Sequence, residues 1–233
     1  MTKQEKLKKQ IKKTIKDIES IEIQGATNVA KETVKLVALF LQTFKKGEKP
    51  ENIIKKIGPF IEKIAYLRIT EPLARNGLKY IIFNLNKKRY KTDQELIKEG
   101  KKIVEDFLKM IDSHKDKIAK TGEKLIKKNQ NVFTHCHSSM VMSILKAAYK
   151  KRKFKVFNDE TRPLLQGHLT SKELRSAKIP NTILVDGASP YVISHFSGRE
   201  LMMDQVFLGT DAIALDGSCV NKIGSYGVSL SAF

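Results

Sequence analysis

Cysteine is scarce. Cys136 and Cys219 are the only thiols in 233 residues. Two cysteines cannot make a disulfide framework, so a reducing, cytoplasmic setting is the default. Long apolar runs are also missing: the longest candidate, Val34 to Phe44, contains Lys35 and is too short to cross a bilayer, so no membrane partner is expected. The first residues, Met1-Thr2-Lys3-Gln4-Glu5-Lys6, lack the apolar stretch and small-residue cleavage site of a signal peptide. No P-loop, GxGxxG or GxSxG pattern occurs, which counts against nucleotide-dependent and serine-hydrolase chemistry.

With 41% hydrophobic and 30% charged residues, the composition is that of a globular chain able to bury a core without staples. The net charge of +19 is unevenly spread. Residues 1–130 hold 32 Lys and Arg against 17 Asp and Glu, and residues 131–233 hold 12 against 8. A basic half invites a nucleic-acid reading. Its lysines, however, interleave with Ile and Leu at helical spacing, and aromatics are not interspersed among them as a stacking platform would need. Solvated faces of amphipathic helices explain the charge, and nucleic acid is not an expected partner.

Up to residue 129 the apolar period is helical. Leu7, Ile11, Ile15, Ile18 and Ile21 form one stripe. Further helices are expected from Thr27 to Phe44, from Ile53 to Leu67 with a break at Gly58-Pro59, from Pro72 to Asn86, and from Thr92 to Asn129. From residue 130 onward, short apolar runs alternate with helical stretches. The expected strands are Asn131–Thr134, Phe154–Asn158, Thr182–Val185 and Gln205–Leu208; the expected helices are Ser139–Lys151, Ser171–Ala177 and a short one near Tyr191–Phe196. This alternation predicts an α/β chain: an N-terminal helical domain over 1–129, then a Rossmann-like parallel-sheet domain over 130–233. Functional residues in such sheets gather at the carboxyl ends of strands.

Three segments fall at those ends. In Thr134-His135-Cys136-His137-Ser138-Ser139, a helix N-terminus and two hydroxyls make an anion cradle. The same helix end is expected to lower the thiol pKa of Cys136 and suit it to proton transfer, against the alternative of an inert buried cysteine. No metal is expected, because neighbouring residues of an extended segment face opposite ways and His135, Cys136 and His137 then cannot share one ion. In Asp159-Glu160-Thr161-Arg162-Pro163, Arg162 offers a fork for phosphate or carboxylate, or else pairs with Glu160. In Gly209-Thr210-Asp211, the aspartate is either a general base or a turn residue, and Asn221-Lys222 is either an amide and cation for a ligand or a solvated turn. The charge balance favours a small phosphorylated ligand.

At these residues the chain resembles the superfamily of initiation factor 2B α/β/δ subunits, methylthioribose-1-phosphate isomerase and ribose-1,5-bisphosphate isomerase. Thr134-His135-Cys136-His137-Ser138, Glu160-Thr161-Arg162-Pro163 with Gln166-Gly167, Gly209-Thr210-Asp211-Ala212-Ile213 and Asn221-Lys222-Ile223-Gly224 stand in the order of its signatures. Gln24-Gly25-Ala26 and Arg68 match its weaker N-terminal ones. The His-Cys-His-Ser form is nearest to the archaeal ribose-1,5-bisphosphate enzymes. The resemblance implies an aldose–ketose isomerase with Cys136 and Asp211 as acid and base, binding a small phosphorylated sugar through Gln24, Gly25, Ala26, Arg68, His137, Ser138, Arg162, Asn221 and Lys222. It implies no cofactor, and a homo-oligomer, dimer or hexamer. Its other branch implies a non-catalytic subunit that binds initiation factor 2 or a phosphorylated regulator. Two departures stand out. Gln24 replaces an Arg of the isomerases, a loss of about 1.5–3 kcal/mol in phosphate contact. Family members also run on past the last helix, so either a fragment or a shortened member is expected.

Overall fold

A computed structural model describes residues 1–233, which fall into two compact units, Met1–Asp112 and Ser113–Phe233. The first contains helices α1 (Lys3–Glu19), α2 (Ala26–Leu41), α3 (Pro50–Ala65), α4 (Pro72–Asn86) and most of α5 (Asp93–Gly122). Thr2 starts α1 with a reciprocal cap: the Glu5 amide donates to Thr2 Oγ1 at 3.2 Å and the Thr2 amide to Glu5 Oε2 at 2.6 Å. Apolar residues at helical spacing supply one core, with Ile18, Val34, Leu36, Val37, Leu41, Ile53, Ile57, Leu78, Ile81 and Leu85 fully or almost fully buried.

The expected break at Gly58-Pro59 does not occur, and α3 runs through Pro59 to Ala65. Proline removes one helical N–H and crowds the preceding turn. Burial of Ile53, Ile57 and Ile64 on one side, with Phe60 stacked on Phe40 at 4.1 Å between ring centroids, outweighs that local cost. The last long helix also differs from expectation, ending at Gly122 instead of Asn129. Arg152 accounts for the early stop. It donates to the carbonyls of Glu123 and Ile126, both at 2.6 Å, and pairs with the buried Glu123 carboxylate at 3.1 Å. A guanidinium thus takes the place of further helical turns for those carbonyls.

The second unit holds strands β1 (Asn131–Thr134), β2 (Lys155–Asp159), β3 (Asn181–Leu184) and β4 (Gln205–Phe207), all parallel, in the order β3-β2-β1-β4. Between and after them come α6 (Ser139–Lys151), α7 (Gln166–Ser176), α8 (Ser189–Ile193), the hairpin of β5 (Ala212–Ile213) and β6 (Cys219–Val220), and α9 (Ser225–Ala232). Alternation along the strands divides the core. Val132 and Val156 pack with Ile126, Leu145 and Leu174. Phe133 and Phe157 pack with Val192, Ile193, Met203 and Val228. Helices α6 and α7 therefore lie against one face, and α8 and α9 against the other.

The strands agree with the expected ones to within a residue at either end. The helix after β2 begins at Gln166 and not at Ser171, because Leu165 turns the chain through the left-handed region (φ 52°) and brings Gly167 against the end of β2. There the Asn158 side chain donates to the Gly167 carbonyl at 3.0 Å, and a Cβ on Gly167 would lie 1.7 Å from the carbonyl oxygen of Asp159. The β5–β6 hairpin was not foreseen at all, since strands of two residues carry no readable alternation.

Gly167→Ala is therefore expected to cost more than about 3 kcal/mol in urea unfolding, since backbone must move to admit the methyl group. Gly227→Ala, on α9 with nothing within 4 Å of the added carbon, is expected to be neutral or to stabilise by about 0.4–1 kcal/mol.

Candidate active site

The order β3-β2-β1-β4 reverses direction at β1: the chain steps outward from β1 through β2 to β3, then returns to pair β4 on the other side of β1. At such a reversal the connections after the two neighbouring strands leave toward opposite faces, and a crevice opens above their carboxyl ends. Cys136 follows β1, and Asp211 follows β4. Each lies four residues or fewer beyond its strand.

Cys136 is held in the left-handed region (φ 67°), so the segment His135–His137 is not extended as the sequence reading assumed. A non-glycine residue there is strained by about 1–3 kcal/mol and persists only where surrounding groups enforce it. Three threads do so. The Cys136 amide donates to Thr161 Oγ1 at 2.9 Å, its carbonyl accepts from Thr170 Oγ1 at 2.7 Å, and its thiol donates to Gln166 Oε1 at 3.3 Å. Because the Thr170 proton is committed to that carbonyl, His137 Nδ1, 2.9 Å away, must be the donor to Thr170. Burial holds the His137 imidazole below its ordinary pKa; nearby Glu173 opposes this, while Lys146 and Lys115 reinforce it.

The thiol departs from expectation. Burial pushes the Cys136 pKa up, and this outweighs the lowering by the His137 amide and the Lys222 charge; the Asp211 and Asp159 carboxylates raise it further. The helix end was expected to lower the thiol pKa, but desolvation wins, the shift is upward and the sulfur stays protonated at neutral pH.

The loop after β4 closes against the loop after β1. A Cβ on Gly209 would fall 2.9 Å from Cβ and Oγ of Ser138 and 3.6 Å from Oδ1 of Asn221, so only glycine lets these three meet. Ser138 caps α6 through the Val141 amide at 3.4 Å. Across the hairpin the Asp211 amide donates to the Val220 carbonyl at 2.8 Å, and Asn221 Nδ2 donates to Ser225 Oγ at 2.8 Å. The loops that carry Cys136, His137 and Ser138, then Asp211, then Asn221 and Lys222 thus meet at this point. Arg162 is exposed and paired with Glu160 at 2.9 Å. It lines a cavity of about 360 Å³ with His135, Asp159 and Asp186.

Gln24, Gly25, Ala26 and Arg68 belong to the first unit. Gly25 (φ 84°) precedes α2, and the Gln24 carbonyl accepts from Asn28 Nδ2 at 3.2 Å. Arg68 pairs with the buried Glu71 at 2.9 Å in the turn between α3 and α4.

A buried hub around Asp159 escaped the sequence reading. Its carboxylate, 2% exposed, accepts from His135 Nδ1 at 2.7 Å, Thr161 Oγ1 at 2.8 Å and Ser189 Oγ at 3.1 Å. Asp186 then takes the amides of Thr161 and Arg162 at 2.7 and 2.8 Å, pinning the loop that supports Cys136. The position of Asp159 at the end of β2 was a usable signal. Asp186, in a plain Asp-Gly turn, offered none.

An α/β domain that gathers a thiol, a carboxylate, an amide and an ammonium at the reversal of a parallel sheet is a class built for small polar ligands. Within that class, the chain belongs to the initiation factor 2 subunit family, which matches residues 22–233. It is 31% identical over 216 residues to ribose 1,5-bisphosphate isomerase of Archaeoglobus fulgidus, covering 92% of this chain and 64% of that one. It is 32% identical over 225 residues to the protein of the same name from Methanocaldococcus jannaschii, covering 95% and 68%. The chain therefore spans about two thirds of the length of these curated relatives. Among solved structures, translation initiation factor eIF-2B from Pyrococcus horikoshii shares the fold, with a TM-score of 0.77 at 23% identity over 95% of this chain and 74% of that one. The family expected from the motifs is the family found.

The thiol balance yields a labelling prediction. At neutral pH iodoacetamide is expected to modify the exposed Cys219 at least about ten times faster than the buried, protonated Cys136. The Cys136 rate should go on climbing beyond about pH 9. Peptide mass spectrometry over a pH series reads both sites.

Proposed function

We propose that this chain carries the chemistry of an aldose–ketose isomerase acting on a C1-phosphorylated pentose of the ribose 1,5-bisphosphate type. The observation that carries the reading is a buried thiol at the β1–β4 reversal, in a loop that meets the loop carrying Asp211 where Gly209 approaches Ser138. Relatives bearing the name ribose 1,5-bisphosphate isomerase, at about 30% identity over most of the chain, support it.

A phosphate on C1 locks the sugar ring, so the ring C1–O bond must break before C2 can become a carbonyl. Cys136 gives its proton to the ring oxygen as that bond breaks. Asp211 takes the proton of the C2 hydroxyl while hydrogen moves with its electron pair from C2 to C1. The product is the ketose phosphate, and one proton returns from Asp211 to the thiolate through solvent. A thiol that is protonated at neutral pH is the form this step needs. The Lys222 ammonium, the Asn221 amide, His137 and the hydroxyl of Ser138 hold the phosphorylated sugar, with Arg162 and, in the first unit, Gln24, Gly25, Ala26 and Arg68 as further substrate contacts. The working form is a homo-oligomer, dimer or hexamer, which light scattering tests.

One residue favours a second reading. Gln24 stands where the isomerases carry arginine, as a subunit that binds initiation factor 2 without catalysis would allow.

Incubation with ribose 1,5-bisphosphate, methylthioribose 1-phosphate and ribose 5-phosphate separates the two readings. Ketose formed from one of them is the expected result. Cys136→Ala and Asp211→Asn should each lower turnover by about 10²–10⁴-fold with unchanged unfolding midpoints. Silence on all three sugars with capture of initiation factor 2 establishes the second reading. Full activity in both variants removes the assigned roles.

A further inference from the structure

His135 sits 3% exposed between the hub and the turn that carries Asn221 and Lys222. Its Nδ1 lies 2.7 Å from the Asp159 carboxylate and its Nε2 lies 2.8 Å from the carbonyl oxygen of Ile223. Both partners are acceptors. A neutral imidazole carries only one N–H, so a ring bonded to two acceptors must carry two protons. The turn is shaped to receive this ring. Gly224 has φ 100°, and a Cβ there would lie 2.8 Å from His135 Cε1 and 3.0 Å from Nε2, so only glycine lets the backbone come this close.

We infer that His135 is a positioning residue, a buried imidazolium that clasps the Ile223–Gly224 turn to the end of β1 and so holds the adjoining Asn221 and Lys222 against the loops after β1 and β4. Loss of its Nε2 proton leaves two acceptors facing one another and releases the turn. Lys222 then moves away from the sulfur on which its charge acts, and substrate phosphate loses its ammonium. This consequence for catalysis rests on the isomerase reading; the clasp itself does not.

The groups around the ring agree with the assignment. Asp159 faces it from the end of β2 and Asp186 from the turn after β3, while the loop after β2 adds the exposed Arg162–Glu160 pair. Helices α8 and α9 present Ser189, Pro190, Gly227 and Val228, none of them charged. Burial works to lower the His135 pKa and is the largest single influence. The hydrogen bond and charge of Asp159, the Ile223 carbonyl and the charge of Asp186 together outweigh it, and the net shift is upward. With the folded value raised, the stabilisation is complete below the ordinary value of 6.5 and is lost as pH rises through the folded one.

Three measurements on the full chain test the clasp. Long-range proton–nitrogen NMR should show both His135 ring nitrogens protonated at a pH where free histidine is half titrated; a single protonated nitrogen there overturns the proposal. Amide exchange over Ile223–Val228, corrected for its intrinsic pH dependence, should accelerate at least tenfold as His135 loses its proton, and a flat profile also overturns it. In catalysis, KM for ribose 1,5-bisphosphate should rise at least tenfold over the same range while kcat holds. His135→Phe/Asp159→Asn, which leaves no lone buried carboxylate and no donor for Ile223, should show the raised KM at every pH. His135→Gln/Asp159→Asn restores a donor that does not titrate, and should recover a lower KM without the pH dependence. An active wild type with unaltered KM in the Phe variant refutes the positioning role. A wild type silent on all three sugars refutes the isomerase reading instead, and the NMR and exchange results still decide the clasp, as they do where a variant fails to fold.

Discussion

The site depends on β4 pairing with the side of β1 that β2 leaves open. Val132, Phe133 and Thr134 are flanked on one edge by Val156, Phe157 and Asn158, and on the other by Gln205, Val206 and Phe207. Once that register is set, the chain leaving β1 enters α6 on one face of the sheet, and the chain leaving β4 runs through the hairpin to α9 on the other. The two loops separate at their bases, yet Gly209 holds them within contact distance at Ser138 and Asn221. The loops that carry Cys136 and Asp211, residues 75 positions apart in sequence, thus meet beyond the carboxyl ends of neighbouring strands.

That arrangement demands an unfavourable backbone at Cys136, and the hub around Asp159 supports it. A single threonine hydroxyl, that of Thr161, accepts from the Cys136 amide and donates to Asp159, so the strained residue and the buried ion pair share one hydrogen-bond chain. Asp186 fixes the backbone on either side of the Thr161–Arg162 bond. A buried carboxylate is tolerable only when its acceptor sites are filled, and Asp159 receives an imidazole, two hydroxyls and the charge of the imidazole. The cost of burying the pair is repaid in position: the strand end cannot relax without breaking several bonds at once.

What the sequence made legible follows from period and from strand ends. Leu7, Ile11, Ile15 and Ile18 announce α1 because a stripe of such residues has no other stable use, and Asn131–Thr134 announces β1 because a short apolar run precedes a capped helix. Cys136 and Asp211 were legible as residues following strands, and Asn221 and Lys222 only as a turn. Three things were not. Pro59 is a strong local signal overruled by the packing of Ile57, Ile64 and Phe60, which local spacing cannot weigh. The hairpin beside Asp211 is too short to have a period. The direction of the thiol shift turned on burial against helix end and ammonium, a contest decided by the depth of Cys136, and depth belongs to the fold.

The opposing influences of Asp211 and Lys222 on that thiol bear on the proposed reaction. The carboxylate raises the Cys136 pKa and the ammonium lowers it. A substrate phosphate seated against Lys222 would offset its lowering influence and leave the His137 amide alone to oppose burial and Asp211, so the loaded site would hold its proton on sulfur more firmly than the empty one. The proton then leaves only when a stronger demand develops, namely negative charge on the ring oxygen as the C1–O bond breaks. In the proposed reaction Asp211 at that moment accepts a proton from the C2 hydroxyl and loses its own charge, which removes one of the influences that, beside burial, raise the thiol pKa. In the proposed reaction acid and base are thus coupled through the field between them. The thiol becomes easier to deprotonate as the aspartate becomes protonated, so the two transfers favour each other along one reaction coordinate.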